Sequence, residues 1–251
     1  MSRSYNGQCH RHKNCNVGRD VLNDRYLNLI PPLDSRDHVP LLCIVVPCYN
    51  EEEVLPQSSS VLASTVEDLV SKRKVSPDSR IIFVDDGSKD STWSIIVSLH
   101  ESNRIFTGIK LAHNEGHQRA LYAGLMDVLD RGCDISVSID ADLQDDVDVI
   151  EEMVDKYAAG AEIVYGVRNN RDTDTGFKRN TAQAYYRLMN RLGTEVVYNS
   201  ADFRLMSSRA LKALAQYREA NLFLRGMVPS LGFKTGVAYY SRKERMAGES
   251  K

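Results

Sequence analysis

Two carboxylates one residue apart, Asp140 and Asp142, with the carboxamide of Gln144 two positions further on, carry the clearest chemistry in this sequence. From Asp134 to Asp155 there are nine acidic residues and no basic one. Carboxylates crowded in this way repel one another and take up protons unless a cation sits among them. Hard oxygen donors suit Mg²⁺ or Mn²⁺, with water and phosphate oxygens completing the coordination shell. The competing explanation is a solvated acidic turn that opens a helix at residue 148, where the helix dipole favours negative charge. Asp145, Asp146 and Asp148 are assigned to that turn, and Asp140 and Asp142 to a metal.

Three further segments bear polar residues suited to a ligand: Pro47-Cys-Tyr49-Asn-Glu51-Glu-Glu53, Asp85-Asp86-Gly-Ser88 and His113-Asn114-Glu-Gly116. Each follows directly on a short run of branched apolar residues, as the Asp140 segment does. Those runs, at 42–46, 80–84, 105–111 and 135–139, with a fifth at 162–166, predict strands. Helical periodicity fills the intervals, over about 53–73, 91–102, 116–130 and 148–159. Strands separated by single helices predict an α/β domain, a mainly parallel sheet with helices on both faces. Ligands of such sheets lie at the carboxyl ends of the strands, which is where all four polar segments fall. One acidic loop alone means little, because helix caps and turns use the same residues. Four in order on successive strands point to a single site.

Composition bounds the rest. The 251 residues are 42% hydrophobic and 26% charged, with a formal net charge of −2, which excludes a collagen-like, mucin-like or wholly disordered chain. The longest apolar run, 41–46, is far short of the roughly 20 residues that span a bilayer. The N-terminus has no apolar stretch of the secretory kind, so a soluble, intracellular chain is expected. Residues 1–39 are polar and read as a loosely ordered extension before a domain at 40–251. Residues 168–251 hold 16 Lys and Arg against 7 Asp and Glu, and this basic third suggests a phosphate-rich ligand or an anionic surface. A merely dipolar surface is the alternative. Five cysteines without a CxxC pair suggest free thiols in a reducing compartment, and the Cys9-His-Arg-His12-Lys-Asn-Cys15 stretch lacks the spacing of a zinc finger.

Taken together, Pro47-Cys-Tyr-Asn-Glu-Glu52, Val84-Asp-Asp-Gly-Ser88, Asn114-Glu-Gly116 and Asp140-Ala-Asp-Leu-Gln144 resemble the family 2 inverting glycosyltransferases of GT-A (Rossmann-like) fold. Tyr165-Gly-Val-Arg168, Lys178-Arg179, Ala201-Asp-Phe-Arg-Leu-Met206, Phe223-Leu-Arg-Gly226 and Arg245-Met-Ala-Gly-Glu-Ser-Lys251 resemble the polyprenyl-phosphate branch, which includes dolichol-phosphate mannose synthase and the bactoprenol glucosyltransferases. The Asp-Phe-Arg-Leu-Met segment is similar to the bactoprenol side. The likeness runs in order over about 41–251.

The resemblance implies transfer of a hexose, glucose favoured, from a nucleotide sugar, UDP-glucose favoured, to polyprenyl phosphate at the cytoplasmic face of the membrane. It places Pro47, Tyr49 and Glu51 in the first nucleotide-binding loop and Asp85 and Asp86 in the loop that contacts the nucleoside. Asn114, Ala141 and Arg168 fall on the same nucleotide-sugar site. Asp140 and Asp142 match metal ligands, with Gln144 a third, for Mg²⁺ or Mn²⁺. Lys178, Arg179, Arg245 and Lys251 match basic positions that meet substrate phosphates, as Arg168 also does. Asp202 matches an acidic residue with a catalytic role, and Asp142 and Arg204 join it in the implied catalytic set. In the related enzymes the chain continues past the Gly-Glu-Ser-Lys segment, usually into transmembrane helices, which this sequence does not contain.

These residue types suit the reaction. Displacing a nucleoside diphosphate from a sugar C1 builds negative charge on the leaving group, which a divalent ion and guanidinium groups neutralise. A phosphate acceptor is already anionic, so a strong general base is less necessary, and Asp202 is expected to orient a basic partner; the alternative is an Asp that caps a helix near 207. In the stretch 177–192 one face is apolar (Phe177, Thr181, Ala184, Tyr185, Leu188, Met189, Leu192) and Lys178, Arg179, Arg187 and Arg191 decorate the rest, which fits a core helix or an interfacial helix on anionic lipid. A saccharide or protein acceptor, or a silent nucleotide- or metal-binding module, are the rival functions. A nucleic-acid partner is not expected, because the basic residues lack a stacking platform of aromatics. A homo-oligomer is compatible with all of these readings.

Overall fold

The computed structural model describes residues 38–168, 200–217 and 223–241. In chain order these form β1 (Leu42–Cys48), α1 (Leu55–Ser71), β2 (Arg80–Asp85), α2 (Thr92–Ser102), β3 (Phe106–Lys110), α3 (His117–Asp130), β4 (Ile135–Ser138), α4 (Val149–Ala158), β5 (Ile163–Arg168), β6 (Ser200–Ser207), α5 (Ser208–Leu214), α6 (Leu224–Ser230) and β7 (Thr235–Tyr240). All but the last two residues of the expected extension 1–39, the stretch 177–192, and the basic residues Lys178, Arg179, Arg245 and Lys251 lie outside the described residues.

The five strands and four long helices expected from the pattern are all present, within a few residues of their anticipated limits. They assemble into one seven-stranded sheet of order β3-β2-β1-β4-β6-β5-β7. Every residue of β1 is buried, as a strand covered on both faces requires. Alternate residues of β1 serve opposite layers: Leu42, Ile44 and Val46 pack with α1, α2 and α4, whereas Cys43 and Val45 pack with α3, α5 and α6. The period of two along the strands thus divides the helices between the two faces. Full burial of a side chain such as Phe83 in these layers contributes roughly 1.5–3 kcal/mol. At the ends of α1 and α4, Lys72 and Lys74 pair with Glu151, and Lys74 also with Asp155, so part of the acidic run is balanced by cations from a distant element.

The short elements β6, α5, α6 and β7 add to the expected pattern, and β6 is the one that matters most. It enters between β4 and β5 and runs antiparallel to both, while all the other pairings are parallel. A reversed strand starts where its neighbours end. The first residues of β6, including Asp202, therefore arrive at the edge of the sheet that carries the polar loops. Asp202 lies inside this strand and does not cap the next helix. Ser207 does so, its hydroxyl accepting from the Ala210 backbone N–H at 3.1 Å.

Candidate active site

The loops after β1 and β2 are clasped by side chains. Asn50 adopts φ 51°, its N–H donates to Ser88 Oγ at 2.9 Å, and its Oδ1 accepts from Lys89 N at 2.8 Å. Glu51 N donates to Thr92 Oγ1 at 2.8 Å. Short polar side chains here substitute for backbone partners at two helix starts, the usual economy of such turns. Gly87, at φ +68°, brings the second loop against the third. A β-carbon there would sit 2.6 Å from the His113 carbonyl carbon. Asp86 completes the link, its two oxygens accepting from Glu115 N at 2.7 Å and Gly116 N at 3.0 Å.

Between these loops and the loop after β4 lies a cavity of about 780 Å³. Pro47, Tyr49, Glu51, Asp86, Asn114, Asp140, Ala141, Asp142 and Gln144 all line it, together with Gly116 and His117. Nine residues singled out in the sequence thus meet in one place. Asp85 is fully buried and outside the lining; its Oδ1 accepts from Ser88 N at 3.0 Å, and Oδ2 has no partner among the described residues.

Asp140 and Asp142 offer carboxylates and Gln144 an amide oxygen on one wall. Burial pushes the Asp140 carboxyl up; the charge of His117 opposes this, and Asp145, Asp142 and Asp202 reinforce it. Such a group is one that a cation would stabilise. Among the described residues no three His, Cys, Asp or Glu side chains form a ready-made metal cage. Two carboxylates and an amide nonetheless match the way Mg²⁺ is held in phosphate sites, by one or two carboxylates with water and substrate oxygens supplying the rest.

Beside this wall Asp202 is the hub of a polar cluster. Arg204 Nη2 donates to its Oδ1 at 2.5 Å, Gln118 Nε2 to its Oδ2 at 3.0 Å, and Arg225 to both oxygens, at 3.3 and 3.2 Å. His117 Nε2 lies 3.4 Å from Asp202 Oδ2 and 3.7 Å from Asp140 Oδ1. Ser138 in β4 also donates to the Asp202 carbonyl. Burial alone would raise the Asp202 carboxyl, but the His117 hydrogen bond and the charges of Arg204 and Arg225 outweigh it and hold the group far below the usual carboxylate range. His117 moves up in return, chiefly through its bond to Asp202 and against the effect of its own burial.

Two sequence expectations are revised. Asp145 belongs to no solvated turn: it is buried and accepts from Arg168 at 3.1 Å and from the Tyr240 hydroxyl at 2.5 Å. Arg168, expected at a substrate phosphate, is held at this pair and lies outside the cavity lining. The sequence reading also passed over His117, Gln118 and Arg225. The first two follow the Asn114-Glu-Gly116 segment immediately, and Arg225 sits within Phe223-Leu-Arg-Gly226, so position within motifs was the available signal.

A mainly parallel sheet covered on both faces, with a cavity at its strand ends, is the α/β layout in which ligands bind outside the carboxyl ends of the strands. Residues 43–215 match the Glycosyl transferase family 2 model, and the chain belongs to that family. Over 212 residues it is 56% identical to the uncharacterized glycosyltransferase YkoT of Bacillus subtilis, covering 84% of this chain and 63% of that protein. It is 38% identical over 212 residues to the bactoprenol glucosyl transferase of Shigella phage SfV, covering 84% and 66%. The chain thus spans just under two thirds of the length of these relatives. In structure it is similar to the Mycobacterium tuberculosis glucosyl-3-phosphoglycerate synthase crystallised with Mn²⁺, UDP-glucose and phosphoglyceric acid (TM-score 0.53, 15% identity, 84% of this chain and 73% of that one). It is equally similar to the mannosyltransferase PcManGT of Pyrobaculum calidifontis in complex with GDP-mannose and Mn²⁺ (TM-score 0.53, 15% identity, 89% and 64%). Both are GT-A glycosyltransferases, and the fold described above is theirs.

Proposed function

We propose that this domain transfers a hexose, with glucose favoured, from a nucleotide sugar to polyprenyl phosphate, inverting the configuration at C1. The observation that supports the reading is the meeting of the Asp140–Gln144 wall and the first three loops around one cavity, whose lining residue His117 also approaches Asp202. The donor nucleotide is assigned to Tyr49, Glu51, Asp86 and Asn114, with UDP-glucose favoured, and its diphosphate to the Asp140–Asp142 wall. Asp140, Asp142 and Gln144 are the residues that would hold Mg²⁺ or Mn²⁺, and a divalent ion there would supply positive charge for the departing diphosphate. The bactoprenol glucosyl transferases among the relatives support a lipid phosphate as acceptor.

An anionic acceptor also suits Asp202. A carboxylate that already accepts from Arg204, Arg225 and Gln118, and that is held deprotonated by them, has little basicity left for proton abstraction. Its part is to orient the groups around it. Among the described residues no helix is long and apolar enough to cross a membrane.

Titration calorimetry of the full chain with UDP and with GDP, each with and without Mn²⁺, tests the donor half. Metal-dependent binding of one nucleotide, lost in Asp142→Ala, is the expected result; binding of neither removes the transferase reading. Incubation with radiolabelled nucleotide sugar and polyprenyl phosphate tests the acceptor half. Label moving into organic solvent supports it, and label retained on an aqueous saccharide or protein replaces it.

A further inference from the structure

We infer that Arg225 is the residue that receives the anionic group of the acceptor. Nothing in the motif reading assigned it a role. The inference rests on three features of the Asp202 cluster, and on the proposed function only for the identity of the anion.

The first feature is charge. Asp202 faces two guanidinium groups, those of Arg204 and Arg225. One carboxylate cannot balance both, and the cluster's other contacts, Gln118 and His117, add no negative charge. Asp140 adjoins the cluster across His117 and belongs to the cavity wall. His117, which lines the cavity, lies 3.4 Å from Asp202, so the surplus positive charge adjoins a cavity that Asp140 and Asp142 also line.

The second is exposure. The Arg204 side chain is 3% exposed, enclosed against Asp202 and the Leu224 carbonyl. The Arg225 side chain is 52% exposed. A guanidinium has five N–H donors; Asp202 takes two of those of Arg225, through Nε and Nη2, and the other three have no partner among the described residues. They form a planar fork suited to a phosphate.

The third is support. An exposed arginine usually wanders, and its rotamer entropy weakens any contact it makes. Arg225 is held by a bidentate contact to a buried carboxylate, and its helix is held as well. Gln118 accepts from the Leu224 N–H at 3.2 Å while donating to Asp202 at 3.0 Å. Gln118 and Asp202 are thus positioning residues that hold Arg225 on the carboxylate that His117, from the cavity lining, also approaches.

The test is calorimetry of the full chain in the presence of UDP and Mn²⁺, with inorganic phosphate and a short-chain prenyl monophosphate as separate probes. Wild type, Arg225→Gln, Arg225→Lys and, as a control for loss of one exposed charge, Lys212→Gln are compared. Arg225→Gln is expected to weaken both phosphates by roughly ten- to a hundredfold, the range for a lost charged hydrogen bond. Arg225→Lys should fall between, Lys212→Gln should match wild type, and the affinity for UDP should stay within about twofold throughout. In turnover, KM for prenyl phosphate should rise by more than kcat falls. Phosphate binding that is untouched by Arg225→Gln, a matching loss of UDP binding, or wild type that binds neither phosphate would each overturn the assignment. Wild type that binds phosphate through Arg225 yet transfers no sugar to prenyl phosphate keeps the anion site and rejects the lipid acceptor.

Discussion

Asp140 and Asp202, 62 residues apart in sequence, face each other across the ends of two antiparallel strands. The β4–β6 register runs to Ser138 opposite Arg204, so Asp140, two residues past β4, and Asp202, two residues before Arg204, lie at the same end of the strand pair. His117 fills the interval, 3.7 Å from the first carboxylate and 3.4 Å from the second. One acid lies on the cavity wall and the other is buried among arginines, so two chemically identical side chains have different tasks.

Removing Asp202 should cost stability as well as activity. Asp202→Ala leaves Arg204 buried without its counter-ion, a loss of about 3–5 kcal/mol for a broken buried pair. The double variant Asp202→Ala/Arg204→Leu should recover much of that stability while remaining inactive. Urea denaturation of the three proteins measures the difference.

The depressed Asp202 carboxyl has a consequence in acid. Its folded-state affinity for protons is below the ordinary value of 3.8, so its contribution to stability is complete above that value and fades as pH falls below it. Between about pH 5 and about pH 3, wild type should lose more stability than Asp202→Asn does. By the same reasoning, Asp202 should give no limb in the pH dependence of kcat/KM between about pH 5 and about pH 9. An acidic limb in that range, abolished by Asp202→Asn, would contradict this.

Gly87→Ala should damage the donor loops. The positive φ costs a residue with a β-carbon about 1–2 kcal/mol, and the clash with the His113 backbone adds to it. The third loop must move, and with it the Glu115 and Gly116 N–H groups that Asp86 holds. Nucleotide affinity should fall by about tenfold or more, with a lower melting temperature; calorimetry and thermal unfolding report the two effects.

Asp145 should behave as a structural residue despite its place in the acidic segment. Asp145→Ala deprives Arg168 and Tyr240 of a shared buried acceptor and should destabilise the domain by about 1–3 kcal/mol. Its affinity for Mn²⁺ with nucleotide should stay within about threefold of wild type, whereas Asp142→Ala should abolish it. Denaturation and Mn²⁺ titration of both variants separate the roles.

Local pattern was enough for the strands β1 to β5, the four long helices and the gathering of Pro47, Tyr49, Glu51, Asp86, Asn114, Asp140 and Gln144 at one edge. A parallel α/β sheet follows from strand–helix alternation, and its strand ends fix where the loops meet. What the residues after 200 contribute could not be read in that way. Residues 200–207 hold apolar side chains at alternate positions, as many strands do, but nothing in them states that the strand reverses direction and enters between β4 and β5. That choice is settled by burial on both faces of the sheet and by hydrogen bonding along two neighbours at once. It alone brings Asp202 to the cavity and surrounds it with Gln118 from α3, Arg204 from its own strand and Arg225 from α6. It is also tertiary contact that removes Asp145 from the acidic group, because only packing brings Tyr240 and Arg168 against it. Sequence thus determined which residue types stand at the sheet's edge, through local periodicity; the tertiary structure decided which carboxylate is left for a cation and which is neutralised by arginine, because the charge state of each depends on neighbours distant in the chain.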